Sequence, residues 1–322
     1  MRIALILPYF GEFPNYFQLF LNSCGKNADS FDWLIFSDNQ RPYDYPSNVK
    51  ITIMTFEEMK RLVQSKFDFK IALNRPYKLC DFRPAYGYIF SEYLGGYDMW
   101  GHCDCDVIWG KLDNFLSEKI LQYDKAGRTG HLTMYRNTQE INSAFMRDYK
   151  GNALYKEVFA SDKSFLFDED NFNGNPCISD IWRNYGFSEY RFDDVIANTD
   201  YKKNYFRLVF QFGEGYSYTK ETSKKNLFIW EDGILMRYYM DGKELKCREF
   251  MYIHMMRRKM RIDKIHDFSK IMIRSNCFSD INPRLKDADS LSRIRCMTLN
   301  NQFFRTRYNN LLNKLRQRLK NE

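Results

Sequence analysis

Apolar residues recur along this chain with two different periods, and the changes of period mark out its elements. Residues 2–8 form a short apolar run closed by Pro8 and read as a strand. Residues 13–24 carry apolar side chains at helical spacing, with Pro14 suited to a first turn. Strands are predicted again over 32–36 and 49–54, and Thr55 with Glu58 makes a capping-box signature that opens the next helix. A helix over 77–93, the turn Gly95-Gly96 and a strand over 99–103 follow. Gly130 then leads into a strand that runs to Asn137, with a helix over 138–147 behind it. This alternation predicts an α/β protein with a mostly parallel, doubly wound sheet flanked by helices. Ligands of such sheets gather at the carboxyl ends of the strands, a rule that collects Tyr9, Phe10, Gly11, Ser37, Asp38, Asn39, Asp104 and Asp106 on one rim.

The pattern changes near residue 227. Strands are predicted over 227–230, 234–240 and 246–254, separated by Asp232-Gly233 and Asp241-Gly242. Both Asp-Gly pairs are hairpin signals, so a small antiparallel meander is expected and Asp232 is assigned to turn chemistry. The last of these strands delivers His254, followed by Arg257, Arg258 and Lys259. The chain closes on a helical stripe of Phe304, Tyr308, Leu311, Leu312, Leu315 and Leu319. The expected organisation is one domain over residues 1–260 and a basic, mainly helical extension over 261–322.

Composition narrows the classes. With 44% hydrophobic and 17% aromatic residues, the 322-residue chain can bury a large core, which excludes a disordered protein. Its cysteines are scattered without a CxxC, so neither a zinc ribbon nor a disulfide framework is indicated, and reduced thiols in a cytoplasmic setting are expected. The N-terminal apolar run is too short for a signal peptide or a membrane span. Residues 255–322 hold 17 Lys/Arg against 6 Asp/Glu, a net of +11; the whole chain is +8, so the first 254 residues sum to about −3. The basic excess therefore belongs to the C-terminal fifth.

The densest chemistry lies in GGYDMWGHCDCDVIWGKL, residues 95–112. Asp104 and Asp106 flank Cys105, and carboxylates at i and i+2 share one face of an extended segment. Burying both charges costs several kcal/mol each unless a cation meets them. Hard divalent cations such as Mg²⁺ and Mn²⁺ take oxygen ligands and usually bring a phosphate-bearing substrate with them. The alternative is a loop with two solvated aspartates. No GxGxxG follows the first strand, which disfavours a dinucleotide-binding enzyme.

The order of helix, Gly-Gly turn, strand and Asp-x-Asp resembles the donor site of GT-A-type glycosyltransferases. More narrowly, YKLCDFRPAYG, DCDVIWG and the late YIH resemble bacterial glycosyltransferases of capsule and lipopolysaccharide clusters. The resemblance implies a GT-A-like fold, a nucleotide-sugar donor, with a UDP-sugar expected, and a metal, Mn²⁺ or Mg²⁺, held by Asp104 and Asp106. It also implies a late histidine as a third metal ligand. His254 fits that role by ending a strand beside the cationic cluster, and an imidazole ligand favours manganese. Donor contacts implied by the resemblance or by placement on the rim are Tyr9, Phe10, Gly11, Asp38, Asn39, Lys78, Asp81, Arg83, Cys105, His131, Arg257 and Lys259. For Lys78 and Asp81 the competing reading is a surface ion pair at i, i+3, and for His131 a structural histidine.

An inverting transferase requires a carboxylate to take the acceptor proton, and Asp168, Glu169 and Asp180 are the candidates. Asp168, Glu169 and Asp170 precede the polar stretch 171–175, which reads as an acceptor-binding loop. The expected acceptor is a surface polysaccharide or lipid-linked glycan. The basic apolar stripe at the C-terminus suits an anionic membrane surface, on the inner face of the plasma membrane. A second function, a metal-dependent nucleic-acid-binding protein or nuclease using the basic C-terminal region, is disfavoured because the basic residues cluster in one tail without interleaved aromatics on a β platform. No nucleic-acid partner is therefore expected.

Overall fold

The apolar run Ile3–Pro8 forms the central strand β1 of the structure, a computed structural model that describes residues 1–169, 176–192, 194–199, 205–212, 215–220, 226–281, 287–294, 304, 308, 311 and 312. The chain divides into two compact units, the first made of Met1–Phe13, Phe20–Cys105 and Leu112–Phe192, the second of Pro14–Leu19, Asp106–Lys111 and Asp193–Glu322. Helix α1 (Phe17–Gly25) follows β1, and then come β2 (Phe31–Ser37), β3 (Val49–Ile53) and α2 (Phe56–Gln64). Thr55 caps α2 as expected, with its hydroxyl accepting the Glu58 N–H and the Glu58 carboxylate accepting the Thr55 N–H. Strand β4 (Met99–Cys103) is followed by β5 (Val107–Trp109), which belongs to the second unit, and by β6 (Lys125–Thr129), β7 (Leu132–Arg136) and β8 (Glu189–Tyr190).

The sheet of the first unit has the order β3-β2-β1-β4-β7-β6-β8. Strands β1 to β4 are mutually parallel, and β7 runs antiparallel to β4. Every residue of β2 and of β4 is buried, as expected for strands covered on both faces. The chain leaves β1 toward β2 and β3 on one side and returns to β4 on the other. The carboxyl ends of β1 and β4 therefore flank a topological switch point, the place where such sheets open a crevice. Because β7 is antiparallel to β4, the turn between β6 and β7, with Gly130 and His131, lies at the same edge.

The stretch expected as one helix over 77–93 is broken. It runs as a 3-10 turn Pro76–Lys78, helix α3 (Leu79–Phe82), a second 3-10 turn Arg83–Ala85, helix α4 (Tyr86–Ile89) and a third turn Ser91–Tyr93. Pro84 has no N–H to donate and its ring crowds the preceding turn, which ends α3 and re-aims the chain at Arg83. Gly87 lets α4 lie directly on the sheet, since a Cβ there would come within 2.3 Å of the Trp100 indole. Helices α5 (Gln139–Asn142), α6 (Leu154–Ala160) and α7 (Ile178–Asn184) complete the unit. Its core is aromatic: Trp100 stacks on Tyr135 at 4.4 Å, and Phe82 on Phe159 at 4.2 Å.

The second unit carries more β structure than the small meander expected. One sheet has the order β11-β10-β9-β15-β5, where β9 is Ile196–Thr199, β10 Phe206–Phe212, β11 Gly215–Lys220 and β15 Tyr252–His254. The other has the order β14-β13-β12-β17-β18-β16. Here β12 is Asn226–Glu231, β13 Ile234–Asp241, β14 Glu244–Glu249, β16 Arg261–Ile262, β17 Lys270–Arg274 and β18 Cys277–Ser279. Both expected hairpins form, and Asp232 and Gly233 both take the positive φ of a tight two-residue turn. The strand expected over 246–254 is in fact two, because the chain leaves one sheet after Glu249 and joins the other at Tyr252.

Residues 261–279, expected in a mainly helical extension, supply three strands instead. Their net charge masks the buried residues Ile271, Ile273 and Phe278, which share a core with Ile108, Phe228 and Ile253. Helix α8 (Ala288–Arg293) follows. Of the expected C-terminal stripe, Phe304, Tyr308, Leu311 and Leu312 are helical, and Leu315 and Leu319 lie outside the described residues, as do Asp170 and 171–175. Among the described residues no helix is long and apolar enough to cross a membrane.

The closeness of Gly87 to Trp100 is testable. Gly87→Ala is expected to lower unfolding free energy by about 1–3 kcal/mol, the usual cost of overpacking a core, in urea denaturation. An unchanged midpoint contradicts the packing described.

Candidate metal centre

Two backbone ladders deliver the ligands. Strand β4 ends at Cys103, so Asp104 is the first residue beyond its carboxyl end, with its N–H donating to the His131 carbonyl at 3.4 Å. Strand β5 begins one residue after Asp106 and pairs antiparallel with β15, with His254 opposite Val107. The two sequence motifs DCDVIWG and YIH are thus neighbours in one ladder. The Met255 N–H donates to the Asp106 carbonyl at 2.7 Å and extends that pairing by a step.

Gly110 permits this approach, since a Cβ there would stand 2.4 Å from the Phe250 carbonyl.

Around Asp106 both carboxylate oxygens are engaged. His254 Nε2 lies 3.3 Å from Oδ1, and the backbone N–H of Arg257 donates to Oδ2. Met256 and Arg257 both adopt positive φ, 50° and 55°, a conformation that non-glycine residues hold only when their surroundings demand it. That double left-handed turn curls the chain back so that the Arg257 N–H meets Asp106. Burial pushes the Asp106 carboxyl up, but His254 and Arg257 beside it bring it below its ordinary value.

One oxygen each from Asp104 and Asp106 and one ring nitrogen of His254 lie within 4.8 Å of one another. Ligands on opposite sides of a divalent ion stand roughly 4–5 Å apart, so the spacing suits a single ion. Two carboxylates and an imidazole offer the oxygen and nitrogen donors that divalent ions take. The cluster can therefore hold a metal. Asp106 and His254 are buried, and Asp104 is partly exposed.

Arg83 reaches Asp104 from the re-aimed segment after α3. Its Nη2 contacts Asp104 Oδ1, and its Nη1 donates at 2.8 Å to Asp168 Oδ2 and at 2.8 Å to the Gly130 carbonyl. Asp168 is almost fully buried, and that burial pushes its carboxyl up to about 6 against the pull of Arg83. Glu169 lies at the same turn, its carboxylate over the Cα of Gly130. Buried His102 on β4 sets its Nδ1 3.2 Å from the Gly130 carbonyl, and burial together with Arg83 holds its imidazole well below its ordinary value. Neither His102 nor the Arg83–Asp168 pairing is signalled by sequence, because the partners stand 28 and 85 residues apart.

The remaining expected site residues fall into groups. Tyr9, Phe10, Gly11, Asp38 and Asn39 gather at the ends of β1 and β2, where Asp38 accepts the Gly11 N–H at 2.8 Å and Asn39 donates to the Gly11 carbonyl at 3.1 Å. Phe10 packs edge-on against Phe56. Cys105 and His131 are buried. Arg257 and Lys259 are exposed, whereas Arg258 is buried against Asn276. Lys78 and Asp81 do pair, at 2.9 Å, but at 1% and 0% side-chain exposure rather than on the surface. Lys78 donates to the carbonyls of Val158 and Lys163, and Asp81 accepts the N–H groups of Phe165 and Phe167. This pair thus clamps the segment that presents Asp168. Asp180 caps α7 through the Cys177 N–H and pairs with Arg183.

A mixed α/β fold with two carboxylates and a histidine set just past a parallel strand defines a class of protein, one with a side-chain cluster that could hold a metal ion. The chain itself belongs to DUF6625, a family of unknown function whose model matches residues 5–282. A search of curated proteins finds no match.

Two outcomes follow from this geometry. His254→Ala is expected to raise the Mn²⁺ concentration needed for half-saturation about tenfold or more, read by metal titration; an unchanged requirement removes His254 from the ligand set. For Asp168 the raised folded-state pKa means a contribution to stability that is full below the ordinary value of 3.8 and lost as pH rises through about 6. Asp168→Asn is therefore expected to flatten the fall in melting temperature between about pH 4 and 7 in metal-free protein, and an identical slope in the variant contradicts the assignment.

Proposed function

We propose that the protein is a metal-dependent glycosyltransferase that moves a sugar from a nucleotide-sugar donor, a UDP-sugar, to a surface-polysaccharide or lipid-linked glycan acceptor. The observation that carries this reading is the Asp104–Asp106–His254 cluster, formed where β4 ends beside the switch point of a largely parallel sheet. An Asp-x-Asp pair at a strand end joined by a late histidine resembles the donor site of glycogenin-type GT-A enzymes.

The metal, Mn²⁺ by the donor set, would be held by Asp104, Asp106 and His254 and would offset the negative charge that develops on a departing diphosphate. The exposed cations Arg257 and Lys259 follow His254 directly and suit the same charge. At the ends of β1 and β2, the Gly11 turn with Asp38 and Asn39 suits the nucleoside. Glu169, partly exposed beside Gly130, is the candidate carboxylate we assign to the acceptor hydroxyl, since Asp168 is buried and Asp180 caps α7. The basic segment 303–322 suits an anionic membrane surface at the cytoplasmic face, where a lipid-linked acceptor resides.

Thermal shift with UDP, GDP and CMP, each with and without Mn²⁺, tests the proposal. One nucleotide is expected to raise the melting temperature only with Mn²⁺ present, and Asp106→Asn to abolish that rise while keeping the fold. A nucleotide shift that is independent of Mn²⁺, or none at all, contradicts it. Removing residues 303–322 is expected to abolish binding to anionic vesicles and to leave the nucleotide-dependent shift intact. Undiminished vesicle binding places the membrane contact elsewhere.

A further inference from the structure

Arg83 occupies an unusual position for a side chain beside a metal-ligand set. One guanidinium spans two carboxylates: Nη2 is on Asp104 and Nη1 on Asp168. Asp104 belongs to the cluster whose atoms lie within 4.8 Å, and Asp168 does not. A cation arriving at Asp104 competes with the arginine for the same carboxylate, and its charge repels the guanidinium. The arginine then needs another acceptor, since guanidinium groups at 12% side-chain exposure have little water to turn to.

The structure holds such an acceptor. Asp168 Oδ2 already takes Nη1, whereas Asp168 Oδ1 is buried and has no hydrogen-bond partner among the described residues. Buried carboxylate oxygens normally have partners, so an orphan of this kind asks for an explanation. A guanidinium presents parallel N–H groups that match the two oxygens of one carboxylate. Turning Nη2 from Asp104 to Asp168 Oδ1 would complete that two-pronged pair, satisfy the orphan oxygen and free Asp104. The Gly130 carbonyl, which also accepts from Nη1, provides the pivot. Lys78 and Asp81 hold the segment carrying Asp168 in place through the N–H groups of Phe165 and Phe167. The receiving carboxylate is therefore preset.

We infer that Arg83 is a resident cation that competes with the metal for Asp104, and that Asp168 is a positioning residue that strengthens metal binding by taking Arg83 away. The inference rests on the metal reading of the Asp104–Asp106–His254 cluster. It assigns Asp168 no contact with substrate and no ligand bond to the metal. Arg83 offsets the Asp104 charge before the metal arrives and Asp168 receives Arg83 afterwards, so that the metal enters against a built-in competitor.

The test is titration of Mn²⁺ alone, without nucleotide, following the free-ion electron paramagnetic resonance signal. Asp168→Asn removes the carboxylate that would receive Nη2 and is expected to weaken Mn²⁺ binding several-fold. The double variant Arg83→Met, Asp168→Asn removes both buried charges together, which protects the fold. It frees Asp104 from its competitor and is expected to bind Mn²⁺ about tenfold more tightly than the unaltered protein, the scale of one charge-assisted hydrogen bond. If the two residues acted only as distant charges, the double variant would match the unaltered protein, because one positive and one negative charge are lost together. Equal affinities, or an Asp168→Asn variant that binds as tightly as the unaltered protein, overturn the inference. If the unaltered protein binds no Mn²⁺, or binds it equally after Asp104→Asn, the metal reading itself fails, an outcome distinct from the first two.

Discussion

The backbone pairing of Val107–Trp109 with Tyr252–His254 turns two motifs far apart in sequence into one ligand set. In an antiparallel ladder the register decides which side chains meet, and a slip of one residue would turn His254 to the opposite face. Pairing of His254 with Val107, the Met255 N–H on the Asp106 carbonyl, and the left-handed turn at Met256 and Arg257 all converge on Asp106. Left-handed residues of this kind cost on the order of 1 kcal/mol or more each, and the hydrogen bond from Arg257 to a buried carboxylate helps to offset that. Gly110 is required by the same pairing, because the Phe250 carbonyl leaves no room for a side chain.

Asp104 is fixed by a different constraint. It follows β4, whose place in the sheet depends on Gly101 and Gly87: a Cβ on Gly101 would stand 2.5 Å from the Thr133 carbonyl, and one on Gly87 would strike Trp100. The broken helix before β4 then brings Arg83 back over Asp104, and the buried Lys78–Asp81 pair brings the Asp168 segment to Arg83. Arg83 thus bridges two carboxylates, and a separate buried ion pair, Lys78–Asp81, holds the segment that carries one of them. Each of these buried charges has an opposite partner, without which its desolvation would not be offset.

Much of this was legible from residue order, and the limits have physical causes. Strands β1 to β4, the Thr55 cap and both Asp-Gly hairpins carry their signals locally, within the few residues that form them. Asp104 and Asp106 stood out because two charges in an apolar setting demand a cation. His254 stood out by ending a strand. Arg83 with Asp168, His102, and the burial of Lys78 and Asp81 depend on contacts across the fold that no local spacing encodes. Residues 261–279 misled for another reason: their charge suggested a solvated extension, yet Ile271, Ile273 and Phe278 between the basic residues pack into a core. The helix expected over 77–93 breaks at Pro84, which has no N–H to continue the ladder.

The most direct test of the metal assignment is anomalous X-ray scattering from a crystal of the protein grown with Mn²⁺. The account predicts one strong manganese peak within coordination distance of Asp104, Asp106 and His254 Nε2 together. A manganese peak elsewhere, or none at this cluster in a crystal saturated with the ion, would contradict it.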